Sequence, residues 1–512
     1  MEFDVVVVGC GPVGALTANL LGGRGVRTLV VERDTAPHRQ PRAFSCDDEA
    51  LRIYQQAGLL TEVAEDMHQP RRAEYVNAKG RVFATIALDE VDFGLGSRPL
   101  HFFDQPRLEA ALRAGLDRFP HVTLRTGVEL MRLTQDDEAA TVVLRDLGTD
   151  EETEVRAKYV LGCDGARSTT RVAAGIALTG TSYAEPWLAV SGDVAPGAVR
   201  VPHTTFVCDW RRPAFVSPGA FDTYRMEFML RPDEAPADMT SPETVARLVA
   251  PYVDPDRFTV TRAVVYTFHH LVAERWRDRR VFLLGDAAHQ MPPFLGQGLC
   301  SGLRDAANLT WKLALALGSD APEPLLDSYE AERRPHTEAM ALTSVRLGRI
   351  FLVRNRFAAF LRDAVLRAAQ TVPRVRRLVR RFEFKPLPAL PDGSAMFPQP
   401  EVVVGGVGLP LDDVLGPDFA VIGPGVDAST ARDWCGPPAR FLRVVTDGEP
   451  RTEDDLVDVT GTLTAWFSRH RTDVVVLRPD RFVHAEGTSA AVNGSPRSVP
   501  GLDGSGQVRK TQ

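Results

Sequence analysis

Apolar positions along the chain follow two rhythms. Unbroken runs occupy residues 5–8, 28–31, 159–162 and 281–284, each the length of a strand buried on both faces. Between the first two, residues 15–21 carry a helical pattern that Gly25 breaks, so the chain opens as strand, helix, strand. Short alternating runs fill about 70–103 and 180–275, among them TTFVCDW, AFVSPG, YRMEFML and AVVYTFHH. Alternation predicts an antiparallel sheet with one covered face, inserted between the pieces that carry the unbroken runs. A helical stretch is predicted from Gly298 to about Phe382, and its Arg-rich end, RDAVLRAAQTVPRVRRLVRRF, reads as a solvated helix face. From about 400, strands spaced by helical or loop segments predict a small α/β domain. From about Glu486 a Gly/Ser/Pro-rich tail is predicted to be disordered.

Composition removes several alternatives. With 44% hydrophobic and 25% charged residues over 512 positions, the chain is long enough for two or three domains. A formal charge of −7 offers nothing to a polyanion, so no nucleic-acid partner is expected. Cysteines stand at positions 10, 46, 163, 208, 300 and 435 with no CxxC pair, as in a reduced cytoplasmic protein. The sequence starts directly on a strand pattern without a charged leader, and no apolar run is long enough to span a bilayer. The expected setting is the cytoplasm, without a membrane partner, as a monomer or homodimer.

The first turn carries chemistry. Gly9, Gly11 and Gly14 stand at GxGxxG spacing between the opening strand and helix, and the second strand ends on Glu32, followed by Arg33. Glycines there let backbone N–H groups approach a pyrophosphate at a helix N-terminus, and the acid takes ribose hydroxyls. A carboxylate suits a ribose without a 2′-phosphate, hence FAD or NAD better than NADP. Two later runs also end on an acid: YVLGCDGARSTTR at Asp164-Gly165, and RRVFLLGDAAHQMPPFLGQG at Gly285-Asp286. In doubly wound sheets, ligands bind at the carboxyl ends of strands. His289 lacks any HxH, HExxH or facial-triad companion, so no metal is expected and the residue is assigned to holding its loop.

The order GxGxxG, CDG with a following Arg, GDAAHxMPPxxGQG and DAxNLxWKL (305–313) resembles the class A flavin-dependent monooxygenases, the para-hydroxybenzoate hydroxylase family, from residue 1 to about 390. Segments 41–59, 207–217, 226–230, 381–388 and 477–483 are similar to one subgroup, the 3-(3-hydroxyphenyl)propionate hydroxylases. The resemblance implies an α/β fold: a Rossmann-like, GR2-type FAD-binding domain (1–180 and 276–395), which lends about 70–103 to the substrate sheet. An antiparallel substrate-binding domain (181–275) and a thioredoxin-like C-terminal domain (396–485) follow from it, with a tail at 486–512. It implies FAD as cofactor, NADH or NADPH as co-substrate, O2, and a phenolic substrate hydroxylated ortho to its existing hydroxyl. The alternative is a flavoprotein that tailors a larger natural product by hydroxylation, epoxidation or Baeyer–Villiger insertion. A third reading, a flavin- or dinucleotide-binding module without catalysis, leaves the three motifs unexplained.

Matching motifs assigns Gly9, Gly11, Gly14, Glu32 and Arg33 to the ADP half of FAD, Arg42 to its pyrophosphate, Gln105 to the flavin, and Asp286 to the ribitol. Asp164 and Gly165 serve FAD and the nicotinamide. Gly296, Gln297 and Gly298 open a helix whose N–H groups would face the flavin N1/O2 edge. Pro292, with its neighbours Met291 and Pro293, would wall the oxygen side. A hydrogen-bond acceptor or base near the substrate phenol is needed, with His101, His203 and Tyr224 as candidates. For a substrate carboxylate, Arg212 or Arg225 is the expected clamp. Trp434-Cys435-Gly436-Pro437-Pro438 resembles a thioredoxin motif, but Pro438 replaces the second cysteine, so no dithiol chemistry is expected.

Overall fold

The computed structural model describes residues 3–37, 43–318, 323–432, 434, 436–445, 452 and 454–488. Arg42, Cys435 and the tail from 489 lie outside the described residues. The unbroken apolar runs pair in parallel: Val5–Val8 lies between Tyr159–Gly162 and Thr28–Glu32, and Val281–Leu283 extends the sheet beyond Tyr159–Gly162. Val122–Thr126 closes one edge in parallel and Arg277–Asp278 the other antiparallel. Alternate residues of the runs enter different cores. Val5, Val7, Leu161 and Phe282 pack on the helix Pro12–Gly22 and the helix Gly298–Gly318. Val6, Val8, Leu29, Val160 and Val281 pack on a second layer, the antiparallel sheet Val128–Gln135, Ala140–Asp146 and Glu152–Ala157. Two covered faces are why these strands read as continuous apolar runs, and each fully buried valine or leucine contributes about 1.5–3 kcal/mol.

The alternating segments build an eight-stranded sheet, in the order His289–Gln290, Phe258–Ala273, Leu178–Val194, Thr223–Met229, Ala214–Pro218, Thr204–Cys208, Ala73–Asn77 and Val82–Ile86. It is antiparallel except where Thr204–Cys208 runs parallel to Ala73–Asn77. Its even-numbered residues Leu188, Val190, Tyr224, Met226 and Phe228 pack with Val245 and Val249 of the helix Pro242–Val249. Trp187, Arg225 and Glu227 take the other face, toward the parallel sheet and a large cavity.

The C-terminal part is a third layered unit. Its sheet runs Val407–Pro410, Glu401–Val404, Asp455–Val457, Ala439–Val445, Phe419–Gly423, Val474–Leu477, Val483–Gly487. Phe419, Val421 and Val474 pack on Trp311 and Leu325 of the preceding helices. Buried charges pin the joint: Arg52 grips Asp412 through Nε (2.7 Å) and NH2 (2.8 Å), and Arg481 approaches the same carboxylate at 3.3 Å. Arg478 and Lys312 both reach Glu332, at 2.7 and 2.8 Å. Among the described residues no helix is long and apolar enough to cross a membrane.

Among the described residues, Asp412 is the only acid shared by two guanidiniums that are each at most 2% exposed. Asp412→Ala is therefore expected to cost about 3–5 kcal/mol, because it strands two buried cations. Urea unfolding measures this, and a loss under about 1 kcal/mol would contradict the pinning role.

Candidate active site

A cavity of about 800 Å³ runs between the parallel sheet and the eight-stranded sheet, in the upper part of the range for small-molecule and cofactor sites. One end is the glycine turn. Gly9 takes a positive φ of +96°, and a Cβ there would lie 2.6 Å from the Cys163 carbonyl oxygen; at Gly14 it would lie 1.9 Å from the Gly9 oxygen. Neither position accepts a side chain, though for packing reasons. At Gly11, which lines the cavity, a Cβ would meet no protein atom within 4 Å, so the missing side chain leaves room for a ligand. The helix Pro12–Gly22 starts here with no side-chain cap and no acid in its first turn, which leaves its N–H groups for an anion. Glu32 borders the turn, with Oε2 accepting the Cys10 N–H at 2.7 Å and Oε1 that of Asp34 at 3.0 Å. The backbone donors suit a diphosphate and the Glu32 carboxylate, an acceptor, suits the ribose hydroxyls of a dinucleotide; Arg33 stands exposed at the rim.

The middle of the cavity is set by one helix and one loop. Gln105, Glu109 and Arg113 recur every four residues on the helix Gln105–Ala114, and all three line the cavity. Gln105 is held in one orientation: Oε1 accepts the Ala43 N–H at 2.8 Å and Nε2 donates to Glu109 at 2.7 Å. Arg113 donates from Nε to the Cys10 carbonyl at 3.1 Å, which brings a cation to the glycine turn. Opposite, Asp286 is exposed to the cavity in the turn Gly285–Ala287. Farther along, Gly296 adopts φ +67° and Gly298 starts the helix Gly298–Gly318, with no acid in its first turn. Gln297 is buried and receives Arg304 NH1 at 3.0 Å. Asp164 and Gly165 also line this region, but the Asp164 carboxylate is taken by its own chain. It accepts the Ser168 hydroxyl, and the Thr170 N–H and hydroxyl at 2.8 and 2.9 Å. Its geometry is that of a helix cap, with the glycine (φ +76°) left as the open part of the motif.

The far end is aromatic with a charged floor. Tyr75, Trp187, Phe206, Phe215 and Phe268 line it. Arg225, buried beneath Phe44 with its guanidinium 4.8 Å from that ring, donates from Nε to Glu227 at 2.8 Å. Its NH1 is buried without a partner. Tyr266 hydrogen-bonds with both Glu227 and Arg225, and burial keeps its phenol well above the ordinary range, so it remains protonated. Ser191 lies between strands, directly opposite both Arg225 and Arg262.

Besides Gly14, five expected site residues stay outside the cavity. Tyr224 falls on the packed face of its strand and donates to the Val201 carbonyl at 2.7 Å. His203 precedes a strand of which Thr204 and Phe206, one parity away, line the cavity. His101 is 1% exposed between the cavity-lining Leu100 and Phe102, and points the opposite way. Arg212 is spent on Glu234 (2.9 Å) and the Met229 carbonyl (2.9 Å). Pro292 is buried with its carbonyl bound by Ser344 at 2.7 Å, and Met291, Pro293 and Phe294 line the cavity in its place. Glu109, Arg113, Glu227, Arg262 and Tyr266 were not foreseen. The four-residue spacing from Gln105, and the shared parity of residues 225 and 227, are the signals that carried them. His289 does hold its loop, its Nε2 2.7 Å from Asp305.

Two domain models match the chain: one described as FAD binding domain over residues 2–344, the other as HcaD C-terminal domain over 394–499. A 3-(3-hydroxy-phenyl)propionate/3-hydroxycinnamic acid hydroxylase of Burkholderia cenocepacia (strain HI2424) is 39% identical over 519 residues, covering 96% of this chain and 95% of its own. The flavin-dependent monooxygenase PieE, solved with FAD and substrate, superposes with a TM-score of 0.81 at 22% identity, covering 96% of this chain and 97% of its own. Aklavinone-11 hydroxylase, solved with FAD and aklavinone, gives 0.79 at 22% identity over 98% and 99%. At those identities the two structures speak for the fold alone.

Burial pushes the His101 imidazole down to about 4, and neither ring nitrogen has a partner. Unfolded, the same group titrates near 6.5. Above that value both states are neutral, so His101 has no effect. As pH falls below it the unfolded chain binds the proton first, and stability drops until about pH 4. Compared with His101→Leu, the wild type is expected to lose about 2 kcal/mol more between about pH 7 and about pH 5. Urea midpoints at the two pH values measure this, and parallel losses would contradict it.

Proposed function

The chain belongs to the FAD-binding monooxygenase family, and on that footing we propose that it hydroxylates a phenol bearing a carboxylate arm, ortho to the existing hydroxyl, with O2 and NADH or NADPH. The observation that carries this reading is Arg225: a buried cation, oriented by Glu227 and Tyr266, with NH1 unpartnered at the aromatic end of the cavity. An unmet buried donor on a guanidinium is costly unless a ligand completes it, and a carboxylate does so with charge-assisted hydrogen bonds. The walls of Tyr75, Phe206 and Phe215 suit the flat face of a benzene ring. Arg262, on the same row of the sheet, adds a second positive charge.

In this reading FAD takes the rest of the cavity, toward the glycine turn. Gly9, Gly11, Glu32 and Arg113 would hold its ADP half; Gln105 and Asp286 would meet the flavin and ribitol; the helix start at Gly296–Gly298 would face the flavin's electron-rich edge. When bound, FAD supplies the oxygen-activating chemistry, while the protein excludes water and orients the ring. Residues 1–180 with 276–395 form the FAD-binding domain in this reading, and 181–275 the substrate-binding domain. The C-terminal sheet is read as thioredoxin-like, since Phe419–Gly423 and Ala439–Val445 run parallel with Val474–Leu477 and Val483–Gly487 antiparallel beside them.

Steady-state kinetics with a 3-hydroxyphenyl acid and with the matching phenol that lacks the carboxylate test the clamp. In Arg225→Gln, KM for the acid is expected to rise about 10- to 100-fold, the worth of a charged hydrogen bond, with little change for the neutral phenol and full flavin content. Equal losses on both compounds would refute the clamp, and turnover confined to polycyclic phenols would refute the substrate class.

A further inference from the structure

The Arg-rich segment is helical and carries exposed arginines, but its first helix also turns an apolar stripe outward. In the helix Arg356–Ala369, Ala359 and Asp363 are buried, and Arg362 points inward to the Cys208 carbonyl at 2.8 Å and to Asp363. The outward stripe is apolar: Phe357 is 75% exposed, Phe360 67%, Leu361 54% and Val365 55%. Charge inside and hydrocarbon outside is the reverse of a water-facing helix. The next helix, Pro373–Arg380, has no buried residue at all, and Val375 and Leu378 stand exposed on it. Residues 354–381 contain nine arginines and one acid. That is a net +8 in a chain of formal charge −7, which leaves −15 for the rest. Arg356, Arg374, Arg376 and Arg381 are exposed, and no ion pair holds them among the described residues.

We propose that these two helices form a docking face for a membrane surface rich in anionic lipids, with Phe357, Phe360 and Leu361 entering the headgroup boundary and the arginines pairing with phosphates. Exposed aromatic and aliphatic side chains flanked by arginine are what an interfacial helix needs. The charge argues against a second copy, because a two-fold contact through this face would bring the exposed Arg356, Arg374, Arg376 and Arg381, which make no ion pair among the described residues, against their own copies. The patch also has a place in the fold. Phe351 just before it and Phe382 just after it both line the aromatic end of the cavity, so the substrate chamber lies directly behind the docking face. The surface is peripheral and needs no membrane-spanning helix.

Co-sedimentation of the full-length, flavin-loaded protein with vesicles tests this. Vesicles of phosphatidylcholine with about 30 mol % phosphatidylglycerol are expected to bind at least about tenfold more protein than pure phosphatidylcholine, and to release it in about 0.5 M NaCl. Arg374→Glu/Arg376→Glu and, independently, Phe357→Ser/Phe360→Ser should each abolish binding while NADH oxidation in solution stays at the wild-type rate. No binding to the anionic vesicles at low salt would overturn the proposal, as would unchanged binding in both variants. A dimer in solution that Phe357→Ser/Phe360→Ser dissolves, without vesicle binding, would assign the face to a second copy and equally overturn it.

Discussion

The carboxylate of Asp305 is fully buried, yet three donors converge on it. The Gly285 N–H lies at 3.1 Å and His289 Nε2 at 2.7 Å from one oxygen, and Arg333 Nε at 3.1 Å from the other. Burial opposes its ionisation, but His289, Arg333 and the Gly285 amide together hold its carboxyl below the ordinary range. The loop between the parallel sheet and the helix Gly298–Gly318 is thereby tied at its first turn to that helix. His289 and Gln290 pair in turn with Val272 and Leu271, at the edge of the eight-stranded sheet. One buried anion thus sets the parallel sheet, the substrate sheet and the long helices in a fixed relation. Ser344 closes the loop's far side through the Pro292 carbonyl. Asp286, Pro293 and the glycines up to Gly298 reach the cavity from a frame that is already built, as a site needing orientation requires.

Other buried charges serve the same end. Asp47 and Asp48 receive Lys385 at 2.9 and 3.0 Å, and Asp47 and Glu49 receive Arg304. Lys385 comes from the segment after the Arg-rich helices and Arg304 from the long helix behind the cavity floor. Such pairs add little net stability compared with apolar burial, but misplacing one partner is expensive. Their effect is to admit one docking of distant segments. Arg52, Asp412 and Arg481 do the same for the C-terminal sheet.

What was legible in the sequence was whatever a single segment determines. The glycine turn, the acids that end buried strands and the run of unbroken valines need only local geometry, and they fall where the pattern put them. What failed needed knowledge of which face of a strand is covered. Tyr224 and Arg225 are neighbours in sequence and opposites in environment, because the helix Pro242–Val249 covers the even residues. His101 and Phe102, and Pro292 and Pro293, divide in the same way. Arg212 resembled Arg225 as a clamp until Glu234, 22 residues away, claimed it. The small antiparallel sheet at residues 128–157 was missed altogether, although it is the reason the parallel strands are buried on both sides. The Arg-rich helices read as solvated because arginine is polar, and only the packing reveals that their arginine-flanked outer stripe is hydrocarbon.

In the proposed reading one continuous cavity takes the ADP half of FAD at the glycine turn, the flavin between Gln105 and Gly298, and a phenolic acid at the Arg225 end, so that O2 and the ring would meet at the flavin. Incubation with NADH, a 3-hydroxyphenyl acid and isotopically labelled oxygen gas tests it most directly, by the mass and substitution pattern of the product. The account predicts a catechol that carries one labelled oxygen ortho to the original hydroxyl, formed in step with NADH oxidation. An unchanged phenol, or an oxygen drawn from water, would contradict it.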